Sequence, residues 1–278
     1  LRGRYRSRTM DSLLREAREL AGRGVQELIV IAQDITRYGL DLEDGSNLAR
    51  LLEELCKLPF HWIRLHYLYP EAVTDELIAV IAREPKILHY LDIPIQHCND
   101  AILSAMRRRS PKAEIIALFD KLRAAMPDVV IRTSLICGLP GETEAAFEEL
   151  CQFLREQKLQ RAGVFQFSPE EGTLAARMED QVPSEVARRR VEQVMELQAE
   201  IMDAWNEARL GSVVEVLCGG FGPQGGCYVG RTWADSPEID GRVLFTAAGQ
   251  VPAGAFVPVR LTGISDGDLT GEIEEEES

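Results

Sequence analysis

Polar side chains in this sequence collect just past apolar runs. Glu27 to Ala32 is followed by Gln33, Asp34 and Thr36, and Asp92-Ile93-Pro94-Ile95 by Gln96, His97 and Asn99. Arg132 and Ser134 sit in a run that continues into Cys137-Gly138-Leu139-Pro140-Gly141-Glu142-Thr143. A last run, Ala162 to Phe167, gives way to Ser168-Pro169-Glu170-Glu171-Gly172-Thr173. Amides, hydroxyls, one imidazole and one guanidinium can hold a polar ligand by hydrogen bonds and charge. They form neither a Ser-His-Asp relay nor a pair of working carboxylates, so acid–base chemistry by side chains alone is not indicated. Each group also has a plainer reading. Gln33 and Asp34 can simply end a strand, and His97 can be a satisfied rim histidine. Gly138 to Gly141 can be a tight turn before Thr143 as N-cap, or a place where backbone approaches a ligand closely.

The elements that would carry these residues alternate. Leu13, Leu14, Ala17, Leu20 and Ala21 recur at helical spacing and stop at Gly22 and Gly24. Strands are predicted at 27–32, 62–69, 89–95, 129–136 and 162–167. Helices are predicted at 47–56, 74–83, 99–108, 111–125 and 143–156, with Thr74 as an N-cap and Pro111 tolerated in a first turn. Strands alternating with helices are the pattern of βα units around a parallel sheet, whose working residues gather at the C-terminal strand ends. A long helix, 184–210, follows, with Val191, Val194, Met195, Met202 and Trp205 along one face. From Gly211 onward the short alternating runs VVEVL, CYVGR, RVLFT and FVPVRLTGI predict a small all-β module of about five strands, closed as a barrel. The expectation is therefore an α/β chain with a boundary between 1–210 and 211–278 and a disordered acidic tail, Glu274 to Glu277.

The 278 residues are 45% hydrophobic and 27% charged, ordinary for a folded protein, and carry a net charge of −14. That balance argues against a general nucleic-acid binder with a basic surface. No apolar stretch is long enough to span a membrane, and LRGRYRSRTM lacks the apolar core of a signal peptide, so a cytoplasmic protein is expected. The six cysteines, 56, 98, 137, 151, 218 and 227, are then free thiols. None has the close spacing of a zinc or iron–sulfur site, and no metal ligands are predicted.

The segments RGRYRSR, IAQDITRYG, IRLHYLYP, YLDIPIQHCND, RTSLICGLPGETEAAFEEL and FQFSPEEGT together resemble the radical S-adenosylmethionine methylthiotransferases. Within them the chain is similar to the RimO type, which modifies an aspartate of a small-subunit ribosomal protein. The resemblance covers about residues 2–210, and 211–278 look like a TRAM domain. It implies a radical-SAM (β/α) barrel, here incomplete. The family's CxxxCxxC motif for a 4Fe–4S cluster would lie just upstream of RGRYRSR, and a domain with three more cluster cysteines before that. As written, the chain is expected to be a fragment without a cluster and without activity. In the whole enzyme the resemblance implies S-adenosylmethionine, two 4Fe–4S clusters, hydrogen abstraction from the aspartate β-carbon, sulfur insertion, and methyl transfer from a second S-adenosylmethionine. It further implies cofactor contacts from Gln33 and Asp34 near the methionine end. Gln96, with His97 beside it, Arg132 and Ser134 would serve toward ribose and carboxylate, and Gly138, Pro140, Gly141 and Glu142 would form a wall. Arg132 is the natural partner of the methionine carboxylate.

Charge bears separately on the substrate. Residues 211–278 hold three arginines against eleven carboxylates, a net −8, and the remaining 210 residues carry −6. Such a module repels RNA and suits a basic ribosomal protein. The MiaB-type resemblance, with tRNA as substrate, is the near alternative. Its sequences tend to have Ser-His-Pro where this chain has Tyr67-Leu68-Tyr69-Pro70, and Gln-Ser-Gly in place of Gln96-His97-Cys98. A non-catalytic docking module is another alternative. An unrelated barrel lyase would need a lysine at a strand end, and none is predicted there.

Overall fold

The computed structural model describes residues 3–222 and 225–274; the tail beyond Glu274 and Arg2 lie outside them. Two compact units are present, Leu1–Met195 and Glu196–Ser278.

The first unit is a five-stranded, all-parallel sheet in the order β1 (Glu27–Val30), β2 (Trp62–Leu65), β3 (Ile87–Asp92), β4 (Val130–Cys137), β5 (Arg161–Gln166). Helices α1 (Met10–Gly22), α2 (Leu48–Cys56), α3 (Asp75–Arg83), α4 (Asp100–Ala105), α5 (Lys112–Ala125) and α6 (Glu144–Gln157) alternate with the strands. Their starts are set by side-chain caps: Thr9, Asn47, Thr74, Asn99 and Thr143 each accept the backbone N–H three residues on. Pro111 precedes α5 without a side-chain cap.

Strand alternation divides the sheet into two unlike faces. On one face Ile63, Leu65, Leu91, Ile93, Ile131, Leu135 and Cys137 are wholly buried hydrophobes. The helices supply matching apolar stripes, such as Leu48, Leu51, Leu52 and Leu55 of α2 and Phe147, Leu150, Phe153 and Leu154 of α6. The register places Glu27, Arg64, His66, Tyr90, Asp92, Arg132, Ser134 and Arg161 on the other face.

Four strands end sooner than the periodicity predicts, β1 at Val30 and β5 at Gln166 by one or two residues and β2 and β3 by more. β2 stops at Leu65 because Tyr67 takes a left-handed backbone (φ 60°). β3 stops at Asp92 because Pro94 has no N–H for the ladder. The Thr133 hydroxyl fills that gap, donating to the Ile93 carbonyl (2.8 Å) and accepting from the Ile95 N–H (3.2 Å). Pairing resumes at Gln96, whose N–H donates to the Ser134 carbonyl (2.9 Å) and whose carbonyl accepts from Ile136 (2.8 Å).

The helix predicted over 184–210 is α7 (Ser184–Glu207), within which the two units divide. In the second unit β6 (Val213–Phe221), β7 (Tyr228–Arg231), β8 (Val243–Thr246), β9 (Phe256–Ser265) and β10 (Asp268–Ile273) close a barrel in the order β10-β8-β7-β6-β9. Its core is Val216, Cys218, Val243, Phe245, Val259, Leu261 and Leu269. Among the described residues no helix is long and apolar enough to cross a membrane.

Candidate functional site: the polar face of the parallel sheet

At the centre of the polar face lies an ion pair. Arg132 on β4 donates to Asp92 Oδ1 on β3 at 2.8 Å, and both side chains are largely buried. The second carboxylate oxygen of Asp92 is buried and is bonded by no described residue. Toward the N-terminal strand ends Arg64 pairs with Glu27 at 2.7 Å, both nearly inaccessible, and its guanidinium lies 4.6 Å from the centroid of the Tyr90 ring. Burying this much charge is costly and adds little net stability, so a sheet face built this way points to a ligand rather than to folding.

Toward the C-terminal ends the polar groups have spare bonding capacity. Gln96 is half-buried with a left-handed backbone (φ 71°), and no described residue bonds its carboxamide; the Ser134 hydroxyl is likewise without a protein partner. Donors and acceptors beside a buried guanidinium suit a ligand with a carboxylate and hydroxyls. Of the predicted residues, Arg132 and Ser134 share one face, and Gln96 is tied beside them by its backbone bonds to β4. Gln33 and Asp34 lie at the end of β1, Gln33 exposed. Asp34 caps a short 3-10 turn, accepting from the Thr36 N–H (3.0 Å) and from its hydroxyl.

The remaining predicted residues form a different structure. The His97 ring is buried; its Nδ1 accepts the Asn99 N–H (3.0 Å), which leaves the proton on Nε2, 3.5 Å from Glu142 Oε2. The same carboxylate accepts the Gly138 N–H (3.0 Å) and pairs with Arg190 (2.8 Å), which also reaches the Glu142 carbonyl and Glu144. Burial would raise the Glu142 pKa, but the His97 contact and the bonds from Gly138 and Arg190 together hold it below the ordinary value. Leu139 packs with Ile102 and Ala146, Pro140 is buried, and Gly141 (φ 79°) donates its N–H to the Asp180 carbonyl at 2.7 Å. A Cβ at Gly138 (φ 83°) would stand 2.3 Å from that of Ala187. The close approach that this glycine permits is therefore to α7. His97, Gly138 and Glu142 meet in a buried latch that fixes the turn after β4.

Asp92, His66 and Tyr90 do not stand out in the sequence because each lies within a run that reads as apolar. The signal that finds them is register: Asp92 stands opposite Arg132. Among the described residues no three Cys, His, Asp or Glu side chains come together as a metal site. Burial raises the Cys98 and Cys137 thiols to about 12, which disfavours the thiolate that binds metal. The residues present fit a polar organic cofactor and do not fit an iron–sulfur cluster.

An all-parallel sheet with a polar inner face, followed by a closed β-barrel, matches two known families. Residues 1–154 match the radical SAM superfamily and residues 210–273 the TRAM domain. The chain belongs to the radical SAM superfamily. Nearly the whole chain is similar to proteins named ribosomal protein uS12 methylthiotransferase RimO. It is 48% identical to that of Desulforudis audaxviator (98% of this chain, 60% of the relative) and 49% to that of Symbiobacterium thermophilum (99% and 57%). It is 46% identical to that of Acetivibrio thermocellus (100% and 62%). The chain thus spans about three-fifths of the length of these relatives. The fold is also that of coproporphyrinogen III oxidase from Escherichia coli, at 15% identity and a TM-score of 0.54 over 81% of this chain and 60% of that one.

Proposed function

We propose that the chain is the cofactor-binding and docking part of a methylthiotransferase that modifies the β-carbon of an aspartate in ribosomal protein uS12. The observation that carries this reading is the buried Arg132–Asp92 pair, with Asp92 Oδ2 bonded by no described residue and Ser134 on the same face. S-adenosylmethionine, bound together with a 4Fe–4S cluster, supplies one-electron chemistry able to remove hydrogen from an unactivated carbon. Arg132 binds the cofactor carboxylate, and Asp92 holds the guanidinium in place for it. Gln96 and Ser134 bond its hydroxyls, while Gln33 and Asp34 line the methionine end. His97, Glu142 and Arg190 keep the turn Gly138–Gly141 in shape, acting as positioning residues. Among the described residues no group of side chains comes together to hold a 4Fe–4S cluster. The RimO-type resemblance assigns two such clusters to the whole enzyme.

The TRAM domain, net −8, suits a basic ribosomal protein and discourages RNA. A substrate in the small ribosomal subunit implies a cytoplasmic protein. The test is anaerobic cluster reconstitution of a protein that contains this chain and spans the full length of these relatives. It is then incubated with S-adenosylmethionine, a reductant and uS12, and read by mass spectrometry. A methylthio group on one aspartate supports the reading. Modification of tRNA instead overturns it.

A further inference from the structure

Tyr67 lies two residues past the end of β2, at the C-terminal edge of the parallel sheet, with a left-handed backbone (φ 60°). For an L-residue this region brings Cβ against the following carbonyl oxygen, and for a bulky side chain it is a true outlier. The fold needs the turn but not the side chain. The Tyr67 carbonyl accepts the Ile35 N–H (3.2 Å), and the Leu68 N–H donates to the Asp92 carbonyl (2.8 Å). A glycine would make the same two backbone bonds without strain. What the tyrosine adds is a side chain held at the rim. The residue is 39% exposed, its ring stands edge-on to buried His66 with centroids 6.2 Å apart, and no described residue bonds its hydroxyl. Strain kept where a strain-free residue would serve the fold is a mark of a functional site.

We propose that Tyr67 is a substrate-positioning residue, its hydroxyl bonding the main chain of a peptide segment entering the mouth of the sheet. This rests on the protein-substrate reading above. A peptide fits better than the cofactor because Asp92 and Arg132 are buried, whereas Tyr67 stands outside them on the rim. A rigid ring with a polar tip contacts a peptide at low entropic cost.

The test uses the 278-residue chain. Melting is recorded for each variant, and calorimetry measures binding of a synthetic uS12 peptide that contains the modified aspartate. Tyr67→Gly should melt above Tyr67→Ala, the reverse of the usual order. Both should weaken peptide binding by about tenfold or more, and Tyr67→Phe, which keeps the ring, by about threefold or more. Lys158→Gly is the control. Lys158 is also left-handed (φ 46°) but caps α6 at the opposite edge of the sheet. That variant should melt no lower than the wild type and bind the peptide normally. Unchanged affinity in Tyr67→Gly or Tyr67→Phe overturns the inference while leaving the substrate reading intact. Absence of binding by the wild type itself sinks the substrate reading, and this inference with it.

Discussion

The two sheets of this chain use their interiors in opposite ways. Inside the closed barrel every residue of the core cluster is apolar, from Val216 to Leu269. One face of the parallel sheet is equally apolar, but its other face buries Glu27, Arg64, Asp92 and Arg132. Burying hydrophobic side chains stabilises a fold directly, whereas buried ion pairs rarely repay their desolvation. The barrel interior therefore serves stability, whereas the ion pairs of the polar sheet face add little to it; under the function proposed above, that face is kept for a ligand.

Four substitutions break or sharpen that contrast. The largest loss is expected inside the barrel. Phe245→Ala empties a fully buried site and should cost about 4 kcal/mol, read by denaturant unfolding, with cofactor binding by the folded protein unchanged. Next comes Gly138→Ala, which must displace Ala187 and adopt a positive φ; it should cost about 2–3 kcal/mol in the same measurement.

Glu142→Gln should cost about 1–3 kcal/mol at neutral pH, because Arg190 loses a buried charge partner while keeping Glu144. The Glu142 pKa is depressed in the folded state, so its contribution is complete above the ordinary value of 4.5 and is lost as pH falls toward the folded value. Melting curves of wild type and variant should accordingly converge as pH drops below about 4.5. At the small end, Arg242→Ala removes a solvent-exposed partner of Asp268 and should cost about 0.5 kcal/mol, and less at high salt, by urea titration.

Periodicity was enough to place the alternating elements and the closed barrel, because alternation and helical spacing are local properties. The N-caps at Thr74 and Thr143 were legible for the same reason. The strand ends at Tyr67 and Pro94 were not, since a left-handed residue and a missing ladder bond interrupt an apolar run without changing its composition. Within the site, Gln96, Arg132 and Ser134 could be read as residues ending or lining a strand. Asp92 could not, because its importance comes from the residue across the ladder. His97 and Glu142 stood out as cofactor contacts implied by the resemblance, and the structure joins them in the turn after β4. Their mutual contact depends on residues 45 apart and on Arg190, 48 beyond Glu142.

The most direct test of the contrast is the double substitution Asp92→Leu with Arg132→Met, assayed by melting and by calorimetric titration with S-adenosylmethionine. A face maintained for a ligand predicts a melting temperature within about 3 °C of wild type or above it, because the buried pair is replaced by apolar groups. It also predicts cofactor affinity at least about tenfold weaker. A melting temperature lower by about 10 °C with affinity unchanged would show that the pair holds the fold together, and would contradict the assignment of this face to the cofactor.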